Sequence, residues 1–296
     1  MHSLRTPDAR FDDLPGYDFS PNYVEISGLR MHYVDEGPKG GAIVLLLHGE
    51  PSWSYLYRHM IPPLRDAGFR TLAPDLIGFG KSDKPARKSD YSYAGHVAWM
   101  VAFVEALDLT DVTLFCQDWG SLIGLRVAAE HEHRFRRIAL GNGGMPTGDQ
   151  EMPRAFKAWQ TFARFSPWFP IGKLLQKATV TELPDDVVRA YDAPFPSAKY
   201  KAGARAFPML VPTTPVDPAS EANRSAWEVF RRWEKPFLTT FSNRDPITRG
   251  GEKVWQETVP GARNCEHVQI RNAGHFLQED KGPELAEALI RLIETT

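Results

Sequence analysis

Val112-Thr-Leu-Phe-Cys-Gln-Asp-Trp-Gly-Ser-Leu-Ile-Gly124 is the stretch from which the fold can be read. It opens as an apolar, β-rich run behind the turn signal Thr110-Asp111. It closes as the start of a helix with Leu122, Leu125 and Ala129 on one face. Between the two lies Cys116-Gln-Asp118-Trp-Gly120, small at its ends and carrying a carboxylate in the middle. Small neighbours let a strand and the helix after it approach closely. The central residue is then held in a strained turn at the carboxyl end of a sheet. Serine is the familiar occupant of such an elbow. A carboxylate there can attack a carbon bearing a good leaving group, or an epoxide, and form a covalent ester. The plain alternative is a buried Asp118 that only caps the helix through its first amides.

Upstream of the elbow, residues 42–47 (Ala-Ile-Val-Leu-Leu-Leu) are apolar without alternation, as a strand buried on both faces of a parallel sheet requires. Residues 1–22 read as an extended, proline-punctuated arm, and 23–26 and 29–34 as a hairpin about Ser27-Gly28. Residues 55–60 read as a helix ended by Pro62-Pro63, and 69–74 as a strand that runs into the glycine-rich loop 75–83. Val97, Met100, Val101, Val104 and Leu107 recur at helical spacing over 93–107. After the elbow helix comes a strand at 137–142. A hairpin followed by β-α-β-α-β-α-β predicts an α/β protein with a mostly parallel sheet. The pattern then stops. Residues 145–225 hold no strand signal. Their first helix, 152–165, carries Phe156, Trp159 and Phe162 near one face, and prolines break the remainder of the segment. This is read as an inserted helical cap. Strands at 237–241 and 266–270 and helices at 252–258 and 285–293 then resume the α/β pattern. The core is expected to be 1–144 plus 226–296, with the cap at 145–225.

A chain of 296 residues is long enough for one large core with an insertion. A net charge of −2 implies no broad attraction to nucleic acid or an anionic membrane. Cys116 and Cys265 are the only cysteines, so no disulfide framework is expected and a reducing, cytoplasmic compartment is the default. The first 13 residues lack an apolar core of signal-peptide length, and no run approaches the ~20 apolar residues of a membrane span.

In an open α/β sheet, ligands bind beyond the carboxyl ends of the strands. His48-Gly49-Glu50, Asp118-Trp119, Asn142, Asp245 and His275 all fall at such ends. Taken singly, Asp245 reads as a turn residue before Pro246, His275 as a hydrogen-bonded loop residue, and His48 as a packed strand end. His131 and His133 read as solvated rather than as metal ligands. Taken together, Asp118, Asp245 and His275 stand in the chain order nucleophile, acid, base of the α/β-hydrolase triad. A serine nucleophile must lose a proton, whereas an ordinary carboxyl is already ionised at neutral pH. His275 is therefore needed only to activate the water that cleaves the ester.

With those residues in place, the sequence resembles the haloalkane dehalogenases of the α/β-hydrolase superfamily over almost its whole length. The resemblance is carried by His48-Gly-Glu-Pro-Ser-Trp-Ser-Tyr-Leu-Tyr-Arg58, Pro74-Asp-Leu-Ile-Gly-Phe-Gly-Lys-Ser-Asp-Lys-Pro85, Gln117-Asp-Trp-Gly120 and Arg271-Asn-Ala-Gly-His-Phe-Leu-Gln278. The cap matches least. The subgroup it looks like has Glu after His-Gly, an Asp acid after the strand near 240, and two tryptophans for the halide. A second subgroup has Asn after His-Gly and takes a Glu acid from the end of the strand after the elbow helix. Those positions here hold Glu50 and Asn142, so Asp245 is the expected acid.

The resemblance implies the α/β-hydrolase fold with a mostly parallel eight-stranded sheet and an inserted helical cap. It implies attack by Asp118, halide held by the indole N–H groups of Trp119 and Trp159, and an oxyanion held by the backbone N–H groups of Glu50 and Trp119. His275 would activate water and Asp245 would orient it. The expected substrate is a haloalkane and the products are an alcohol, a halide ion and a proton. No metal, organic cofactor, nucleic acid or membrane partner is implied, and a monomer is expected. Trp168, between two prolines, is the other candidate for the cap halide ligand, although a packing role suits it better. An epoxide hydrolase would share the fold and the Asp nucleophile but needs cap tyrosines, for which Tyr191 and Tyr200 are available. A catalytically idle binding protein on the same fold would be expected to lack a triad member.

Overall fold

The structure, a computed structural model, describes all 296 residues. In chain order it contains β1 (Ser3–Leu4), β2 (Asn22–Ile26), β3 (Leu29–Glu36), β4 (Ile43–Leu47), α1 (Ile61–Asp66), β5 (Arg70–Pro74), β6 (Lys84–Pro85), α2 (Tyr93–Ala106), β7 (Val112–Gln117), α3 (Trp119–Glu130) and β8 (Phe135–Gly141). Then come α4 (Arg154–Phe165), α5 (Ile171–Ala178), α6 (Asp185–Asp192), α7 (Ala202–Leu210), α8 (Ser220–Phe230), β9 (Phe237–Thr239), α9 (Glu252–Thr258) and α10 (Leu277–Thr295).

The hairpin β2–β3 turns on Ser27 and Gly28, both at positive φ (52° and 77°), the backbone that a tight two-residue turn requires. From there the main sheet runs β2-β3-β5-β4-β7-β8-β9, antiparallel to β5 and parallel beyond it. All six residues of β7 are buried, as its unbroken apolar pattern requires of a strand covered on both faces. Register aligns the carboxyl ends: Leu47 pairs with Cys116, and Gln117 with Gly141. The loops after β4, β7 and β8 therefore open at one edge of the sheet, together with the loop after β9.

Three expectations are corrected. Residues 54–57 form only a 3-10 turn, and Pro62-Pro63 begin α1 rather than end a helix. The first turn of a helix has no acceptor for its N–H groups, so prolines lose nothing there. The sheet has seven strands rather than eight. Residues 266–270 lie alongside β9, with the Val268 and Ile270 N–H groups donating to the Thr239 (3.1 Å) and Phe241 (2.9 Å) carbonyls, but the return bonds are incomplete and only one bridge closes, Ser242 to Ile270. The Thr239 N–H, which would continue the ladder, donates to the Nδ1 of His267 instead (3.1 Å). α10 also starts eight residues earlier than its amphipathic pattern suggested. It bends at Lys281 (φ −146°, ψ 38°), two residues before Pro283.

The five helices α4 to α8 lie between β8 and β9 with no strand among them. α8 runs through residue 225, the expected boundary, and is tied to core helix α3. Arg126 donates to the Asn223 side-chain carbonyl (3.1 Å), and Asn223 donates to the Pro146 carbonyl (2.7 Å). The arm is fastened to both layers. β1 pairs with β6, the Thr6 hydroxyl donates to the Pro194 carbonyl (2.7 Å), and Phe11 and Tyr17 pack on Trp53 (ring centroids 5.5 and 5.0 Å). No helix is long and apolar enough to cross a membrane, and both cysteines are free.

Candidate active site

Asp118 occupies the turn between β7 and α3 with φ 49° and ψ −126°, a conformation that costs an L-residue about 1–3 kcal/mol and persists only where its surroundings hold it. The surroundings here are glycines. A Cβ on Gly120 would lie 2.0 Å from the Leu47 carbonyl oxygen, and one on Gly49 would lie 2.4 Å from the Asp118 Cβ. The strain is fixed by backbone bonds. The Asp118 N–H donates to the Asn142 carbonyl (3.1 Å), while the Asp118 carbonyl accepts from the N–H groups of Ser121 (2.9 Å) and Leu122 (3.3 Å).

The side chain of Asp118 is held at both oxygens. Oδ1 accepts from the Glu50 backbone N–H (2.7 Å), and Oδ2 lies 3.4 Å from the His275 Nε2. On the far side of the ring, Nδ1 lies 3.0 Å from Asp245 Oδ2 and donates to it. Asp245 is fully buried. It also accepts from the backbone N–H groups of Ile247 (2.9 Å) and Thr248 (3.2 Å) and from the Thr248 hydroxyl. Burial would raise its carboxyl, but the His275 charge and these donors hold it down at about 2. Burial would lower His275, but Asp245 and Asp118 on either side overcome it and raise the imidazole well above its ordinary value.

Three further polar side chains brace this arrangement. Asn142, not the acid, is a fully buried hub. Its amide donates to the Ser242 hydroxyl (2.8 Å) and to the carbonyls of Gly274 (2.8 Å) and His275 (3.0 Å), and its carbonyl accepts from the Ser242 N–H (2.8 Å). Gln117 donates to the His275 carbonyl (3.2 Å). Asp280 accepts from Gly274 N–H (2.7 Å) and from the N–H groups of Val180 and Thr181, which fastens the base loop to the chain beyond α5. No sequence pattern singled out these roles. His48 is the packed strand-end residue expected: Nδ1 donates to the Gly49 carbonyl (2.9 Å) and Nε2 accepts from Leu76 (3.0 Å).

Asp118, Glu50, Trp119, Trp159 and His275 all line one cavity of about 1050 Å³. Trp119 is stacked on Phe207 (4.4 Å) and edge-on to Tyr93 (5.2 Å), and its indole N–H has no protein acceptor. Trp159 projects from α4, stacked on Phe162 (5.8 Å). Trp227 also lines the cavity, but its N–H is spent on the Met145 carbonyl (2.8 Å). Trp168 does not line it and does not pack either, being 62% exposed. No group of three or more His, Cys, Asp or Glu side chains could hold a metal ion, and His131 and His133 lie apart from the cavity.

A family model described as the alpha/beta hydrolase fold matches residues 42–282. A haloalkane dehalogenase of Psychrobacter cryohalolentis is 54% identical over 298 residues, covering 99% of this chain and 98% of the relative. One of Mycolicibacterium paratuberculosis is 56% identical over 295 residues, covering 98% of each. The chain belongs to the haloalkane dehalogenases. Among solved structures, the tetrameric haloalkane dehalogenase of Paraglaciecola agarilytica superposes with a TM-score of 0.91 at 36% identity, covering 97% of each chain. The reaction class is therefore hydrolysis of a carbon–halide bond, with a halogenated alkane as substrate and halide as product.

In this dehalogenase the tyrosines that could have opened an epoxide stand elsewhere. No tyrosine lines the cavity. Tyr191 is fully buried and donates to Glu279, which is paired with the buried Arg58. Tyr200 only packs against the core.

The Glu50 side chain is the element that the dehalogenase sequence did not announce. It is buried beside Asp118, and its Oε1 has no hydrogen-bond partner. Burial pushes the carboxyl well above its ordinary range and the Asp118 charge adds to this, while Trp159 and the His275 charge oppose them. A carboxyl raised on folding stabilises most below its unfolded value, and that stability is lost as pH rises toward the folded value. Glu50→Gln, which cannot ionise, should therefore melt higher than wild type at pH 8, by at least ~2 °C. The gap should close toward pH 4.5. Thermal melts across that range check it, and a constant gap would mean that Glu50 titrates normally.

Proposed function

We propose that Asp118 displaces halide in line from the substrate carbon, forming an alkyl ester with its side chain. His275 then takes a proton from a water that attacks the ester carbonyl. This releases the alcohol and restores the carboxylate. The observation that carries the reading is the double hold on Asp118: Oδ1 on the Glu50 N–H and Oδ2 facing the His275 Nε2. The Glu50 donor is already in place for the oxyanion that develops when water attacks. The Trp119 N–H, at the first position of α3 without an intrahelical acceptor, is the second donor.

Electrostatics order the two steps. Before attack, the two flanking carboxylates strengthen the hold of His275 on a proton. Ester formation removes the Asp118 charge, and with it part of what raises the imidazole. Asp245 remains to orient the ring and stabilise its charged form. With the pull of Asp118 gone the ring gives up its proton to solvent, which is the one proton released per turnover, and only then is His275 a base toward water.

Trp119 and Trp159 are assigned to the halide. Both line the cavity, the Trp159 N–H beside the Glu50 carboxyl, whereas the N–H of Trp227, which also lines it, is spent on the Met145 backbone carbonyl. An indole donates one hydrogen bond from an otherwise apolar surface, and such a donor acts most strongly in a dry pocket. The helices between β8 and β9 form the lid over this site, and the lid returns to the core along α8.

Trp159→Phe keeps the ring and removes the N–H. It should slow halide release by up to about a hundredfold, the upper range for one donor to developing charge. It should also weaken bromide quenching of tryptophan fluorescence. Trp168→Phe should do neither. Pre-steady-state halide release and bromide titration check both variants, and the reverse pattern would move the halide site to Trp168.

A further inference from the structure

Between Glu151 and Glu182 the chain carries no acidic residue and five basic ones: Arg154, Lys157, Arg164, Lys173 and Lys177. Of these only Lys157 has an ion-pair partner, Glu151 at 2.8 Å. Where α4 turns into α5, two large aromatic side chains stand in solvent, Phe165 at 71% exposure and Trp168 at 62%. Each has a cation against its ring. The Arg164 guanidinium is 5.2 Å from the Phe165 centroid, and the Lys173 ammonium is 5.8 Å from that of Trp168. Arg205 of α7 adds to the same side, donating to the Ala163 carbonyl (3.0 Å). The net charge of −2 averages this patch away.

Beside the two rings lies a groove of about 390 Å³, lined by Trp159, Phe162, Trp168 and Leu174 among others. It shares Trp159, Leu174 and Lys177 with the lining of the cavity above Asp118. An exposed aromatic pair set among unpaired cations suits a surface that offers negative charge outside and apolar chains just beneath it.

We propose that the α4–α5 face docks on an anionic phospholipid bilayer, with Phe165 and Trp168 seated among the headgroups. The groove then receives an apolar haloalkane directly from the lipid. The delivery step rests on the reaction assigned to the cavity; the docking does not. A second copy of the chain suits the patch less well. A two-fold contact would lay the patch on itself, unpaired cations against unpaired cations.

The test is flotation of the full chain with vesicles of phosphatidylcholine, with and without phosphatidylglycerol. Wild type is expected to float only with the anionic vesicles and to be released by high salt. Lys173→Glu should lower the partition coefficient at least fivefold, roughly the effect of one basic residue at such a surface. The double variant Phe165→Ser/Trp168→Ser should lose flotation while turning over a water-soluble bromoalkane at the wild-type rate. Three results overturn the docking: wild type left unbound by anionic vesicles, the double variant floating as well as wild type, or mass rising with concentration in wild type but not in the double variant. The last would assign the face to contact between copies. Flotation intact with no halide release in solution would instead overturn the catalytic reading.

Discussion

Asp118→Ala releases no measurable halide from any bromoalkane and still folds. The loss is expected to reach about four to six orders of magnitude, the range seen when an enzyme nucleophile is removed. No nearby group replaces it. Glu50 is the carboxyl buried beside that position, but burial, the larger of the two influences that raise it, persists when Asp118 is gone and still pushes it well above its ordinary range, which makes it a poor nucleophile. The fold survives because the elbow is held by the backbone of Asp118. The bonds to Asn142, Ser121 and Leu122 do not involve the side chain. Circular dichroism and a melt within a few degrees of wild type, beside halide release watched with a pH indicator, check both halves. Substantial residual turnover in a folded variant would place the nucleophile elsewhere.

The parts of this site that could be read in the sequence share a physical cause. Buried parallel strands leave runs such as Leu45-Leu-Leu47 without alternation. The close approach of strand and helix at the elbow leaves Gly120 where a Cβ would strike the Leu47 carbonyl. Asp245 and His275 were legible through their place after strands and their order in the chain, and the structure sets them 3.0 Å apart. Trp159 and Trp168 could be told apart only in setting, since aromatic residues three apart share a helix face whereas flanking prolines disfavour a helix, and the structure sets Trp159 on the cavity and Trp168 in solvent.

The features that could not be read depend on pairings made after folding. The expected eighth strand stays an incomplete ladder, in which the His267 ring takes the Thr239 N–H, and no strand propensity registers a side chain competing for such a bond. Pro62-Pro63 end or begin a helix equally well in composition, and only the fold decides which. Trp168 looked like a packing residue, and the chain folded without covering it. Asn142 looked merely like a position without a carboxylate. Its role as a tie between the loops of acid and base rests on residues about 100 and 130 positions away.

His275→Phe separates the two chemical steps most sharply. Displacement by Asp118 needs no base, whereas hydrolysis of the ester does. Exposed to excess bromoalkane, the variant should release one equivalent of bromide per chain and then stop. Intact-protein mass spectrometry should show each chain heavier by one alkyl group in place of a proton, and a digest should find that group on Asp118. Wild type under the same conditions turns over continuously and carries only a transient adduct. The substitution removes an imidazolium facing two carboxylates, so Asp245 loses a charged partner. It keeps its donors from Ile247 and Thr248, and the Asn142 and Gln117 amides hold the carbonyl of residue 275, which does not change. The variant should therefore fold, somewhat less stable than wild type, because the depressed Asp245 carboxyl loses the His275 charge that lowers it. Adduct formation slower than wild-type turnover would still fit, since the positive ring also favours the ionised nucleophile. A folded variant that forms no adduct, or that hydrolyses at the wild-type rate, would break the division of labour between Asp118 and His275.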